Sequence, residues 1–143
     1  MTMMYASEPI NDCKPTVWPT AGIIKYEFNI LSNSEIEKFP SDKYLCIEGA
    51  PNNSMKVIAS ASGKIQSIDE PEKGHFIISI DHGCGYISRY AFYALELNVK
   101  LNDQVKRFEI LGYPIQSNNE NGVQVFYSVE LNGKPIDPKD LMN

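Results

Sequence analysis

Nearly every apolar stretch in this 143-residue chain is short and stopped by a turn signal, a pattern that leaves room for strands and little else. Phe76-Ile77-Ile78-Ser79-Ile80 is a buried-strand run within Gly74 to Asp81. It meets His82-Gly83-Cys84-Gly85, whose paired glycines supply the positive φ of a tight turn. Tyr86 to Tyr93 then returns as the partner strand. Val123 to Leu131 is the last long strand and closes on Asn132-Gly133, the strongest two-residue hairpin signal. Further strands are expected at Gly22 to Phe28, Tyr44 to Glu48, Lys56 to Ala61 and Lys64 to Ile68. Leu97 to Ile110 is expected to form a hairpin around Asn102-Asp103. Residues 29–43 read as a loop with one helical turn at Ser34 to Lys38, and Gly49 to Asn53 as a turn. The expectation is one all-β, antiparallel domain over residues 17–143, preceded by a polar lead-in or linker over 1–16.

Composition removes several functions. The 13 basic and 18 acidic residues give a net charge of −5. That balance opposes binding to nucleic acid and gives no attraction to anionic membranes. No apolar run approaches the ~20 residues that span a bilayer. Met1 to Pro9 lacks the basic and apolar regions of a signal peptide. This leaves two expectations open: a cytoplasmic protein, or one whose export segment is absent from the sequence given. Cys13, Cys46 and Cys84 share no C-x-x-C spacing, and an odd count fits a disulfide framework poorly. Three free or structural thiols is the favoured reading, with one disulfide plus one free thiol as the other.

The two histidines, His75 and His82, lie seven positions apart. On one continuous strand that is ~23 Å and opposite faces, so they cannot share a metal. His75, at a strand start, is expected to be exposed, and His82 to be a structural, hydrogen-bonded turn residue. The pair His82 and Cys84 lacks a third metal ligand. Cys84 as a nucleophile lacks an orienting acid, because the side chain of Asp81 alternates away. Lys56, which follows Met55 as in biotin- and lipoyl-carrier domains, sits too close to Ala59 for that role and reads as a solvated strand residue. Sugar-phosphotransferase IIA domains, related in fold, need two adjacent histidines that this strand geometry forbids.

Five segments together resemble one family. Trp18-Pro19-Thr20-Ala21-Gly22-Ile23-Ile24 is similar to an opening W-P-x-x-G-x-I. Ala50-Pro51 followed by Val57 to Ile65 is similar to A-P-x-G-x-x-V-x-A-x-x-x-G-x-V. Ile80 to Phe92 is similar to I-x-H-x-x-G-Y-x-T-x-Y-x-H, and Leu101 to Gly112 to V-x-x-G-D-x-V-K-x-G-Q-x-I-G. Asn132-Gly133-Lys134-Pro135-Ile136-Asp137-Pro138 is similar to N-G-x-P-V-D-P. In this order they resemble the lysostaphin-type (LytM-like) zinc metallopeptidases of peptidoglycan, over roughly Trp18 to Met142. The resemblance implies a duplicated-hybrid-motif β-sandwich or half-barrel of antiparallel strands.

The family's chemistry is not carried over. Its H-x-x-x-D ligand pair falls on Tyr44 and Glu48, the His of its Y-x-H on Phe92, and its H-x-H on Gln124 and Phe126. One oxygen ligand remains and no imidazole. Catalytic zinc needs about three protein ligands and a water brought to a pKa of about 7. The expectation is therefore no cofactor, no metal and no catalytic residue: a pseudoenzyme. Tyr44, Phe92 and Phe126 either collapse into a filled core or line an aromatic groove with Glu48 and Gln124 as polar contacts. Both readings stand at this point. The resemblance implies an extracytoplasmic binding, scaffold or regulatory module for peptidoglycan or an envelope protein. Two alternatives are a metallo-endopeptidase with a relocated site using Glu48, His82 and Cys84, and a structural subunit of a larger assembly with a partner over the sheet edges.

Overall fold

The computed structural model describes residues 13–30, 43–49, 55–116 and 122–142. The strands are β1 (Ile23–Ile30), β2 (Lys43–Gly49), β3 (Val57–Ile58), β4 (Gly63–Glu72), β5 (His75–Gly83), β6 (Tyr86–Tyr93), β7 (Gln104–Val105), β8 (Ile110–Gly112), β9 (Val123–Leu131) and β10 (Lys134–Ile136). One large antiparallel sheet runs β1-β2-β9-β6-β5-β4-β7, with β10 folded back on β9. A two-stranded ribbon, β3-β8, stands apart from it in pairing and contributes Val57 and Leu111 to the same core. Among the described residues the only helical element is a 3-10 turn at Pro138–Asp140, capped by the Asp137 carboxylate accepting from the Lys139 N–H. No helix among them is long and apolar enough to cross a membrane.

The sheet has two different faces because strand side chains alternate. On β9, Val123, Val125, Tyr127 and Val129 point inward and are buried, while Gln124 and Phe126 point outward and are only partly covered. The inner set meets Leu45 and Ile47 of β2, Tyr90 and Phe92 of β6, and Ile78 and Ile80 of β5 in one continuous core. A second, smaller cluster forms on the outer face from Tyr44, Cys46, Ile77 and Ala91, with Phe126 against it.

Several expected elements shift. The hairpin over Leu97 to Ile110 does not form. The left-handed conformations of Asn102 (φ 74°) and Phe108 (φ 77°) turn the chain twice, so that β7 pairs with β4 and β8 with β3. The alternating run Lys56 to Ala61 is a strand only at Val57–Ile58. His82 and Gly83 continue β5, and the turn is confined to Cys84 and Gly85, with Gly83, Cys84 and Gly85 all at positive φ. The helical turn expected at Ser34 to Lys38, and residues 50–54 of the next turn and its flank, lie outside the described residues.

The favoured reading of the thiols is corrected. Cys13 and Cys84 form a disulfide across 71 positions, with Cα atoms 6.1 Å apart, and Cys46 is buried outside that bond. The sequence carries no spacing signal for a bond that depends on where the β5–β6 turn lands. His75 is also corrected: it is only 6% exposed, because its ring stacks on its cross-strand neighbour Tyr93 at 4.6 Å.

Candidate functional site

The outer face of β2, β9, β6 and β5 gathers four of the five groove residues expected from sequence. Register places Cys46 opposite Phe126 and Glu48 opposite Gln124. Tyr44 and Phe126 stack, with ring centroids 5.3 Å apart and planes 20° from parallel. The Lys25 ammonium lies 3.2 Å from Glu48 Oε2, and Gln124 Nε2 donates to the same oxygen over 3.5 Å. The Glu48 carboxylate is thus engaged by a cation and an amide.

Phe92 is placed differently. Its neighbours Ala91 and Tyr93 take the outer face, while its own ring is 1% exposed in the main core, packed beneath Gly112. A Cβ at Gly112 would lie 3.0 Å from that ring, so the glycine makes room for it. Two of the three rings therefore meet, and the third closes the core behind them. Between these elements lies a recess of about 20 Å³, bordered by His75, Ala91, Phe92, Tyr93, Ile115, Gln124 and Phe126. That is space for about one water molecule. His75, Tyr93 and Ile115 were not foreseen at this site. Parity puts His75 on the face of Ile77, but the β5–β6 register that brings it to the recess cannot be read from sequence.

The zinc implied by the resemblance does not fit these residues. The polar groups around Glu48 are the Gln124 amide and the Tyr44 phenol, and the His75 imidazole at the recess is stacked on Tyr93. Among the described residues no three His, Cys, Asp or Glu side chains are grouped to hold a metal. Nor do the residues of the relocated site come together. Cys84 is bonded to Cys13, His82 lies on the inner face of β5, and Glu48 lies on the outer face of β2 with β9 and β6 between them.

His82 instead ends a buried chain of hydroxyls. Its Nδ1 is 2.8 Å from the Ser62 carbonyl and its Nε2 is 2.6 Å from Ser88 Oγ. Ser88 Oγ is 2.7 Å from the Tyr90 hydroxyl, which is 2.8 Å from Ser60 Oγ, and Tyr127 Oη donates to Ser60 Oγ over 2.8 Å. The Ser60 N–H also donates to Tyr90 Oη. A carbonyl only accepts, so Nδ1 carries a proton toward Ser62. Ser88 donates to Tyr90, and Tyr127 to Ser60, so the hydroxyls converge on the Ser60–Tyr90 pair. Burial holds the imidazole below its ordinary pKa of 6.5, against the opposing pull of the Ser62 carbonyl and Asp81. Burial raises the Tyr90 phenol and raises that of Tyr127 further, so both stay protonated.

Comparison with known proteins fits this fold. The model of peptidase family M23 matches residues 45–138. A zinc-containing peptidase from Vibrio cholerae superposes with a TM-score of 0.64 at 17% identity, over 89% of this chain and 38% of that one. Lysostaphin from Staphylococcus simulans gives 0.59 at 18% identity, over 83% of this chain and 48% of its own. The SpoIIQ-SpoIIIAH pore-forming complex gives 0.59 at 16% identity, over 92% of both chains. The chain thus spans less than half the length of the two peptidases. No curated protein matches significantly in sequence.

Proposed function

The chain belongs to peptidase family M23, and from that premise we propose that this domain acts by binding a protein partner of the cell envelope and not by hydrolysis. The observation that carries the proposal is the outer face itself. Where the family's fold would hold zinc, this chain stacks Tyr44 on Phe126 and ties Glu48 to Lys25 and Gln124. Glu48 and the single imidazole of His75, which is stacked on Tyr93, belong to no group of three metal ligands among the described residues, and fewer than three neither hold a catalytic zinc nor lower the pKa of its water.

Two further observations support the reading. The SpoIIQ-SpoIIIAH structure, which aligns over 92% of this chain and 92% of its own, is that of a pore-forming complex, so a chain with a similar fold takes part in a protein assembly. The Cys13–Cys84 disulfide belongs with an oxidising compartment outside the cytoplasm. The recess has room for about one water, which favours contact across the face over insertion of a sugar ring.

The test is direct. Purified protein is incubated with cross-linked peptidoglycan, with and without added zinc, and soluble fragments are followed by chromatography. The proposal expects no fragments and no sedimentation with the sacculi. Release of fragments, abolished by a chelator, would sink it. Sedimentation without cleavage would keep the binding role and reassign the ligand from protein to glycan.

A further inference from the structure

The segment before β1 is fastened along the rim of the core. It is bonded through Cys13 to Cys84 in the β5–β6 turn. Pro15 is buried. The Thr16 N–H donates to the Ser60 carbonyl over 3.2 Å, and the Ile58 N–H donates to the Pro19 carbonyl over 2.8 Å. Arg107 clasps the same stretch, donating from Nη1 to Thr16 Oγ1 over 2.7 Å and from Nη2 to the Lys14 carbonyl over 3.3 Å. Beneath it lies Ser60, the fully buried node where the Tyr90 and Tyr127 hydroxyls meet.

The two cysteines differ in exposure. Cys13 is buried at 8%, whereas Cys84 is exposed, flanked by Gly83 and Gly85. Trp18, further along, packs on the main core and gives the segment a fixed base. An exposed bond at one end, a packed ring at the other and a few hydrogen bonds between describe a latch.

We propose that residues 13–16 form a redox-latched strap, which a dithiol reductant opens at Cys84 while the sheet stays folded. A thiolate of the dithiol attacks Cys84 Sγ, and the S–S electron pair leaves on Cys13 Sγ, which takes up a proton. The second thiol of the reagent then displaces Cys84, which is also protonated, and the reagent leaves as its own disulfide. Two electrons pass from the dithiol to the protein. The strap then swings about Val17, and water reaches Ser60. The domain in this way senses the redox state around it without a change in its main core.

Cys46 supplies an internal control, because it is buried at 0% on the opposite face and reacts only if the sheet opens. The experiment treats the full oxidised chain with dithiothreitol, then iodoacetamide, and reads intact mass alongside hydrogen exchange. The expected result is two alkylated thiols, Cys13 and Cys84, with the Thr16 amide exchanging about tenfold faster or more and the Ile78 amide unchanged. Three thiols alkylated together would overturn the proposal, since the disulfide would then staple the whole fold. No alkylation, or two with Thr16 still protected, would also overturn it. Arg107→Ala keeps the disulfide and removes the clasp. It should speed reduction by about fivefold, the worth of a lost hydrogen bond; an unchanged rate would count against the strap.

Discussion

The two faces of β9 show what this chain has kept and what it has replaced. Inward, Val123, Val125 and Val129 pack in an aliphatic core, and Tyr127 donates into a buried cluster of hydroxyls. Outward, Gln124, Phe126 and Glu48 are half-covered beside Tyr44, which is buried with Cys46, Ile77 and Ala91. The inner face tolerates little change, because close packing and buried polar groups both penalise substitution. The outer face carries less of the fold's stability, so the residues there can change chemistry while the strand remains. That asymmetry lets the outer-face residues vary while the M23 fold is kept.

Phe92 and Phe126 test the contrast most sharply, since both stand where the resemblance places a histidine. Phe92→Ala should cost about 3–5 kcal/mol, as for other fully buried aromatic residues. Phe126→Ala, half-buried on the outer face, should cost about 1–2 kcal/mol. Urea denaturation measures both, and equal losses would mean the two faces contribute alike.

The hydroxyl chain comes next. Tyr90→Phe leaves the Ser60 N–H, the Ser60 hydroxyl and Ser88 short of a partner and should cost about 1–3 kcal/mol. Removing the Gln124 amide, which reaches Glu48 over 3.5 Å, should cost far less. Chemical denaturation of Tyr90→Phe and Gln124→Ala side by side gives the comparison.

His82 adds a pH dependence confined to the inner face. Its folded pKa lies below 6.5, so under acid the unfolded chain takes up the proton first. Stability is therefore full above about pH 6.5 and falls as pH drops below it, by at most about 1.4 kcal/mol per unit until the folded imidazole also protonates. The difference between wild-type and His82→Asn denaturation curves from pH 7.5 to 5 isolates this slope. A flat difference would remove His82 from the chain.

The smallest effect belongs to the outer face. Lys25 and Glu48 are each about one third exposed, so Lys25→Ala should change the melting free energy by less than about 1 kcal/mol and less still in high salt.

The same asymmetry explains what was legible in the sequence. Alternation in β9 and the Asn132-Gly133 turn located the last hairpin, because period and turn chemistry are local. The five-segment resemblance located the family, because its glycines, valines and tyrosines shape the core and the turns. Local signals do not report register. The pairing of β7 with β4 and of β8 with β3, the arrival of His75 beside the recess and the closure of Cys13 on Cys84 all depend on how distant segments meet. Phe92 shows the limit within a single strand. Its position in the family pattern pointed to the groove, and its parity on β6 carried its ring into the core.

The most direct test of the central claim is the zinc content of the purified chain, measured before and after incubation with excess zinc and desalting. The account predicts less than about 0.1 zinc per chain in both samples, since a closed structural or catalytic site would retain close to one. A value near one per chain would show that ligands do assemble on this fold, and the binding role proposed here would give way to a hydrolase.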